Sequence, residues 1–196
     1  MKSFVTTKNG DAGTTRLISG EIVSKDHPAV VCTGVLDCFR AELARLRLRV
    51  IESGRSDANE LGDFLFWLLH VCFLVGTQVN DPKRRHPEYR IQEVGEAHLT
   101  RLEAHQAQLE AGLNIPRQFI VSATSVLAAE TDCCATHARE LERAIVALQR
   151  EEPQFDAVHL LCFVNRLSDY LVVLARHLED GNHLPVDYTV LGPEGG

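Results

Sequence analysis

Ten residues near the amino terminus, Thr6-Thr7-Lys8-Asn9-Gly10-Asp11-Ala12-Gly13-Thr14-Thr15, hold two glycines, four threonines, a lysine and an aspartate, and no large apolar side chain. Such a stretch adds nothing to a core, so any chemistry it does is polar. Gly10 and Gly13 let backbone N–H groups approach a ligand closely, and the threonine hydroxyls and Lys8 ammonium suit phosphate oxygens. Asp11 would repel a bare phosphate, so if a triphosphate binds here the carboxylate is better suited to holding a metal ion, directly or through water. The same composition describes a polar turn behind a short leading strand, and taken alone it favours the turn.

Two further polar sets fall at helical spacing. Arg139, Glu142 and Arg143 stand at i, i+3 and i+4 and make one ridge, which Asp132 and Ala135 continue toward the start of the same helix. Asn165 and Asp169 lie one turn apart, with Arg176 further along, on the side away from a run of leucines. By periodicity alone these are equally ordinary solvated faces, with ion pairs worth about 0.2–0.5 kcal/mol each. The nine histidines form no H-x-x-x-H or E-x-x-H pair, and neither a G-x-S-x-G element nor a Walker loop occurs.

The elements that must position these groups are helical. After Pro28, Leu36, Phe39, Leu43, Leu46 and Val50 recur at three- and four-residue steps until Ser53-Gly54 ends the pattern. A second helix opens at Ser56 or Asp57 and carries Leu61, Leu65, Leu68, Cys72, Val75 and Val79, with Phe64, Trp67, Leu69, Val71 and Phe73 on its other faces. Apolar all round, it is expected either at the centre or against another subunit. Residues 80–90 read as an exposed, mobile loop, and residues 93–111 as a peripheral helix on Leu99, Leu102 and Leu109. The fourth helix, residues 125–150, has a stripe of Leu127, Thr131, Cys134, Ala138, Leu141, Ile145 and Leu148. The fifth, residues 156–179, has Leu160, Val164, Leu167, Leu171, Leu174 and Leu178, with Asp156 as N-cap and Gly181 as breaker. Small strands are expected at residues 3–6 and 16–18. The fold class is therefore all-α, an antiparallel five-helix bundle over residues 30–180, with residues 1–29 as a lead-in segment of the same domain and 181–196 as a tail.

Composition bounds what such a bundle does. The 196 residues are 45% apolar and carry a formal net charge of −7, which disfavours nucleic-acid and anionic-membrane partners. The most apolar run, residues 64–75, is about a dozen long, short of the roughly 20 a bilayer-spanning helix needs. No leader pattern opens the chain. Cys32, Cys38, Cys72, Cys133, Cys134 and Cys162 form no C-x-x-C pair and are expected as buried free thiols, which with the rest predicts a soluble, cytoplasmic protein.

The segment Thr7-Lys8-x-Gly10-Asp11-x-Gly13-Thr14-Thr15, then Lys25-Asp26, Gly34-x-x-Asp37, Phe119-Ile120, Arg139-x-x-Glu142-Arg143 and Asn165-Arg166-Leu167-Ser168-Asp169-Tyr170-Leu171, resembles the PduO-type ATP:corrinoid adenosyltransferases, in order and over about residues 4–179. The resemblance implies a five-helix bundle, a homotrimer with active sites between subunits, and transfer of the 5′-deoxyadenosyl group of ATP to cobalt with release of triphosphate. ATP, Mg2+ and cobalamin, the last as substrate, are the implied ligands. A corrinoid reductase and an adenosylcobalamin-dependent enzyme are the implied partners. Carried over by position, Thr7, Lys8, Gly10, Asp11, Gly13, Thr14, Thr15 and Lys25 would hold the triphosphate, with Asp11 on magnesium, and Arg139, Glu142 and Asn165 would complete the nucleotide site. Phe119 would displace the lower axial ligand of the corrinoid, with Asp169 also on the corrinoid side, and Asp37 and Arg139 would join Phe119 in catalysis. The chain departs from the family pattern at Val31, Cys38 and Ala135. Ala135 stands where the family has an arginine that pairs across the interface with the aspartate at position 37. The alternative is a catalytically impaired relative that binds ATP, a corrinoid or another tetrapyrrole as carrier, sensor or chaperone partner.

Overall fold

Each apolar stripe folds as one face of a helix, and the five faces meet in one core. The structure, a computed structural model, describes residues 8–115 and 118–192. Helix α1 (Pro28–Glu52) starts behind His27, whose ring Nδ1 accepts from the Ala29 N–H at 3.2 Å. All five expected core positions from Leu36 to Val50 are buried, and the chain leaves through Gly54 at φ 73°, a conformation open to glycine at little cost. Helices α2 (Ala58–Asn80), α3 (Glu96–Ala111), α4 (Val126–Glu151) and α5 (Val158–His177) follow. Ser125 caps α4, its Oγ accepting from the Ala128 N–H at 3.1 Å.

Helix α1 lies against α2 and α4, and α5 lies against α4 and α3. Rings close the remaining side, with Phe64 of α2 stacked 3.7 Å from His105 of α3 and 5.2 Å from Tyr170 of α5. Helix α2 is thus a rim helix and not the central one. Its inner face is buried, but among the described residues no element covers its outer face, and Phe66 and Phe73 stay exposed. At 23 residues it is also longer than its most apolar run. By length and composition both α2 and α5 could cross a bilayer, yet about half of each apolar window is buried inside the bundle.

Two small antiparallel sheets flank the helices. Strand β1 (Thr14–Arg16) pairs with β2 (Ile22–Ser24), and β3 (Ile120–Val121) pairs with β4 (Leu184–Pro185). The first strand therefore begins inside the polar stretch, two residues before the expected 16–18, because Leu17 already belongs to the turn that Gly20 closes. The strand expected at residues 3–6 lies outside the described residues.

Other boundaries moved for identifiable reasons. Residues 80–90 are ordered around the buried Asp81, which accepts from the N–H groups of Arg85 and His86 at 2.9 Å each. Arg90 reaches back to the carbonyls of Gln78 and Asp81 at 2.8 Å. Helix α3 begins three residues late because Val94 is drawn into the core with its N–H on Gln78 Oε1. Asp156 caps from one residue outside the N-cap position, accepting from the Val158 N–H at 3.3 Å. Only Cys32, Cys72 and Cys134 are buried, and burial pushes each of these thiols up to about 12; Cys38, Cys133 and Cys162 are exposed.

Candidate active site

The polar stretch folds as two tight turns running into β1. The Asp11 N–H meets the Lys8 carbonyl at 3.4 Å and the Gly13 N–H meets the Gly10 carbonyl at 3.3 Å. Gly13 sits at φ 80°, and Lys8 itself takes the left-handed conformation at φ 61°. The Lys25 N–H donates to the Gly13 carbonyl at 2.9 Å, which brings the Lys25 side chain back over the loop. A methyl group added at Gly10 would stand 3.1 Å from Lys25 Cε and Nζ. Glycine at position 10 is thus what lets the ammonium lie against the backbone. An open cavity of about 530 Å³ beside it is lined by Asn9, Gly10, Thr14, Thr15, Arg16 and Ile22. Lys8, Asp11, Gly13, Thr14 and Lys25 are exposed, Thr15 half-buried. Thr7 lies outside the described residues.

The sequence reading missed what braces this loop. Lys83 Nζ stands 2.9 Å from Glu152 Oε1 and 3.3 Å from Glu21 Oε1, and Arg85 Nη1 stands 3.4 Å from Glu21 Oε2. The turn between β1 and β2 is therefore tied to the loop after α2 and to the end of α4. Burial works to raise the Glu152 pKa, but the hydrogen bonds from Lys83 and Gln154 hold it below the usual carboxylate range. A lysine and two glutamates so far apart in the chain leave no periodic signal.

On the helices, Asn165 Nδ2 donates to Glu142 Oε1 at 3.2 Å, joining α5 to α4. Arg139 and Arg143 are exposed, and among the described residues neither pairs with a carboxylate. A cavity of about 390 Å³ is lined by Glu142, Arg143, Val146, Ala147 and Arg150. Asp169 is held by Arg166, whose Nη1 lies at 3.1 Å and whose Nε reaches Glu103 at 2.9 Å. Among the described residues no hydrogen bond or ion pair joins the Lys8, Asp11, Thr14 or Thr15 side chains to this ridge.

Asp37 is exposed on α1 and takes a 2.9 Å bond from Arg40 Nη2, one turn on. Ala135 is not on the polar ridge; it is 3% exposed and part of the core, because α4 turns that position inward. Asp132 faces α5, where Arg176 Nη2 meets its Oδ2 at 2.8 Å. Arg176 is accordingly buried and not on a solvated face. Val31 and Cys38 are exposed. Phe119 is 79% exposed, with its ring outside the core and its carbonyl accepting from the Val186 N–H at 2.9 Å.

The description "Cobalamin adenosyltransferase" belongs to the family model that matches residues 5–178. The chain is 30% identical over 178 residues to the corrinoid adenosyltransferase PduO of Salmonella typhimurium, covering 90% of this chain and 50% of that one. It is 30% identical over 176 residues to a cobalamin adenosyltransferase of Cupriavidus metallidurans, covering 90% and 88%. The chain thus spans about half the length of the PduO relatives it matches. A variant of a PduO-type ATP:corrinoid adenosyltransferase from Lactobacillus reuteri, complexed with cobalamin and ATP, superposes with a TM-score of 0.82 at 27% identity, covering 93% of this chain and 96% of that one. Another variant of that protein, complexed with ATP, gives 0.80 over 93% and 100%. With a matching model over nearly its whole helical bundle and solved relatives of the same fold, this chain belongs to the cobalamin adenosyltransferase family.

Proposed function

We propose that this chain transfers the 5′-deoxyadenosyl group of ATP to the cobalt of a reduced corrinoid. The observation that carries the reading is the Lys25 ammonium laid over Gly10 beside exposed Lys8 and Thr14 and half-buried Thr15, a cationic cradle in a chain whose solved relatives are complexed with ATP and cobalamin. In the reaction, the cobalt(I) electron pair attacks ribose C5′. A Co–C bond forms, the C5′–O bond breaks, and that electron pair departs with triphosphate. The protein's task is to align the two reactants and to neutralise charge building on the leaving group. Lys8, Lys25 and the backbone N–H groups of residues 10–15 serve the second need. Arg139 and the Glu142–Asn165 pair hold the nucleoside end.

Asp11 is exposed on the loop, and among the described residues no three metal-ligating side chains gather. That suits a Mg2+ ion, which takes one or two carboxylates and draws its other ligands from phosphate and water. When bound, the ion would share the neutralisation of triphosphate charge. The exposed Phe119 ring serves the corrinoid side, with Asp169 near it in role. The exposed outer faces of α1 and α2, with a cavity of about 440 Å³ lined by Asp37, Arg40, Phe66 and Phe73 among others, suit a contact between subunits. We place the active form in a homotrimer in the cytoplasm, supplied with cobalt(I) by a corrinoid reductase.

The test is to mix the protein, MgATP and chemically reduced cob(I)alamin and to follow the absorption spectrum toward adenosylcobalamin. Lack of conversion despite measurable ATP binding would leave the carrier or sensor reading in its place. Lys8→Ala and Asp11→Ala should each weaken ATP binding at least about tenfold, since a charged contact is worth about 1.5–3 kcal/mol. A monomer by sedimentation would remove the intersubunit site.

A further inference from the structure

Phe119 has almost no packing of its own, so the direction of its ring is set by its backbone. That backbone is held from the far end of the chain. Strand β3 pairs Ile120 with Pro185 and Val121 with Leu184, and the Val186 N–H donates to the Phe119 carbonyl. Strand β4 is itself exposed at both residues, so burial does not fix it either. What fixes it lies one step deeper, at Glu179.

The Glu179 side chain is wholly buried. Its Oε1 accepts from the Thr124 N–H at 3.0 Å, and its Oε2 accepts from His183 Nδ1 at 2.7 Å. Arg176 Nε stands 3.3 Å from the same Oε2, and Arg176 is anchored in turn by Asp132 on α4. The Glu179 carbonyl takes Asn182 Nδ2 at 3.0 Å, and Ser125 Oγ reaches the Leu178 carbonyl at 3.3 Å. Ala123, next to Thr124, is held at φ 54°, a conformation a non-glycine residue keeps only where its surroundings impose it. A carboxylate with no exposed surface is costly to bury, and here each oxygen is bonded to one of the two segments that flank the β3–β4 pair.

We infer that Glu179 and His183 are positioning residues that lock β3 to β4 and thereby set the presentation of Phe119. The inference rests on the transferase reading for its consequence in catalysis, but the lock itself is a property of this chain alone. His183 acts as donor through Nδ1–H, and its buried Nε2 has no hydrogen-bond partner among the described residues. The ring is therefore held at one nitrogen only, and an asparagine amide can replace that donor.

The experiment compares the full chain with His183→Ala, His183→Asn and Glu179→Gln. Hydrogen exchange and steady-state kinetics are measured on each. His183→Ala should speed exchange at residues 119–124 and 184–186 together by at least tenfold, with the centres of α1 and α4 unchanged. It should raise KM for the corrinoid or lower kcat at least fivefold, with KM for ATP within twofold, and His183→Asn should restore most of both. Should Glu179→Gln not fold, the His183 pair still decides. Unchanged exchange at residues 119–124 overturns the lock, and faster exchange with unchanged corrinoid kinetics overturns its role for Phe119. If the unaltered protein proves inactive, the transferase reading falls, and the exchange pattern alone upholds or overturns the lock.

Discussion

Arg40 donates from Nη2 to Asp37 Oδ1 across 2.9 Å, one turn along the same helix. The resemblance supplies Asp37 with an arginine from another subunit, at the position where this chain has Ala135. The structure gives it a partner from its own helix. Both side chains are more than a third exposed, so the pair is screened and adds little to folding. Arg40→Ala should change stability by less than about 1 kcal/mol in urea unfolding. If Asp37 acts in catalysis, the same change should lower kcat/KM for the corrinoid at least fivefold. A large stability loss instead would make Arg40 a structural residue.

Ala135 offers the converse test. The position is in the core, so restoring the family's arginine there forces a long side chain between packed helices. Ala135→Arg should cost at least about 3 kcal/mol, by overpacking and by burying an unpaired charge, and thermal unfolding reads this directly. A neutral outcome would mean that α4 can rotate the position outward.

Gly10→Ala separates binding from folding. The added methyl meets the mobile end of Lys25 at 3.1 Å, and the Thr14 carbonyl at 3.3 Å. The lysine can swing away cheaply, so stability should fall by under about 1 kcal/mol. The ammonium then leaves its place over the loop, and ATP affinity by calorimetry should drop several-fold. Unchanged affinity would argue that Lys25 does not touch the nucleotide.

Asp57 carries a pH-dependent share of stability. Burial works to raise its pKa, but the hydrogen bonds from Arg55 and His177 outweigh this and hold it below the usual range. A lowered folded pKa means that the stabilisation is full above the unfolded value of about 3.9 and is lost as pH falls through the folded value. Asp57→Asn should therefore destabilise by about 1 kcal/mol at pH 7. The gap from the unaltered protein should close toward pH 3, measured as urea midpoints across the range.

The core stripes were legible because a buried helix face repeats every three to four residues, and those of α1 and α5 are buried at every predicted position. The rim position of α2 was not legible, since periodicity cannot tell a face covered by the same chain from one left open. The burial of Ala135 and Arg176 was missed for a related reason. A small residue or a paired arginine reads as polar-face material until its partner on another helix is known. Glu142 and Asn165 were brought together only by the family resemblance, whereas Lys83 with Glu21 and Glu152 joins segments that only the fold brings together.

That neither the Lys8 nor the Asp11 side chain bonds to the Arg139–Glu142–Asn165 ridge among the described residues has a genetic consequence. If each active site takes its loop from one subunit and its ridge from the next, two defective alleles can complement one another. Lys8→Ala and Glu142→Ala, each impaired when expressed singly, should regain activity when co-expressed, with about one site in four intact by random assembly through a head-to-tail interface. Two variants that never recover together would mean that one subunit supplies both surfaces.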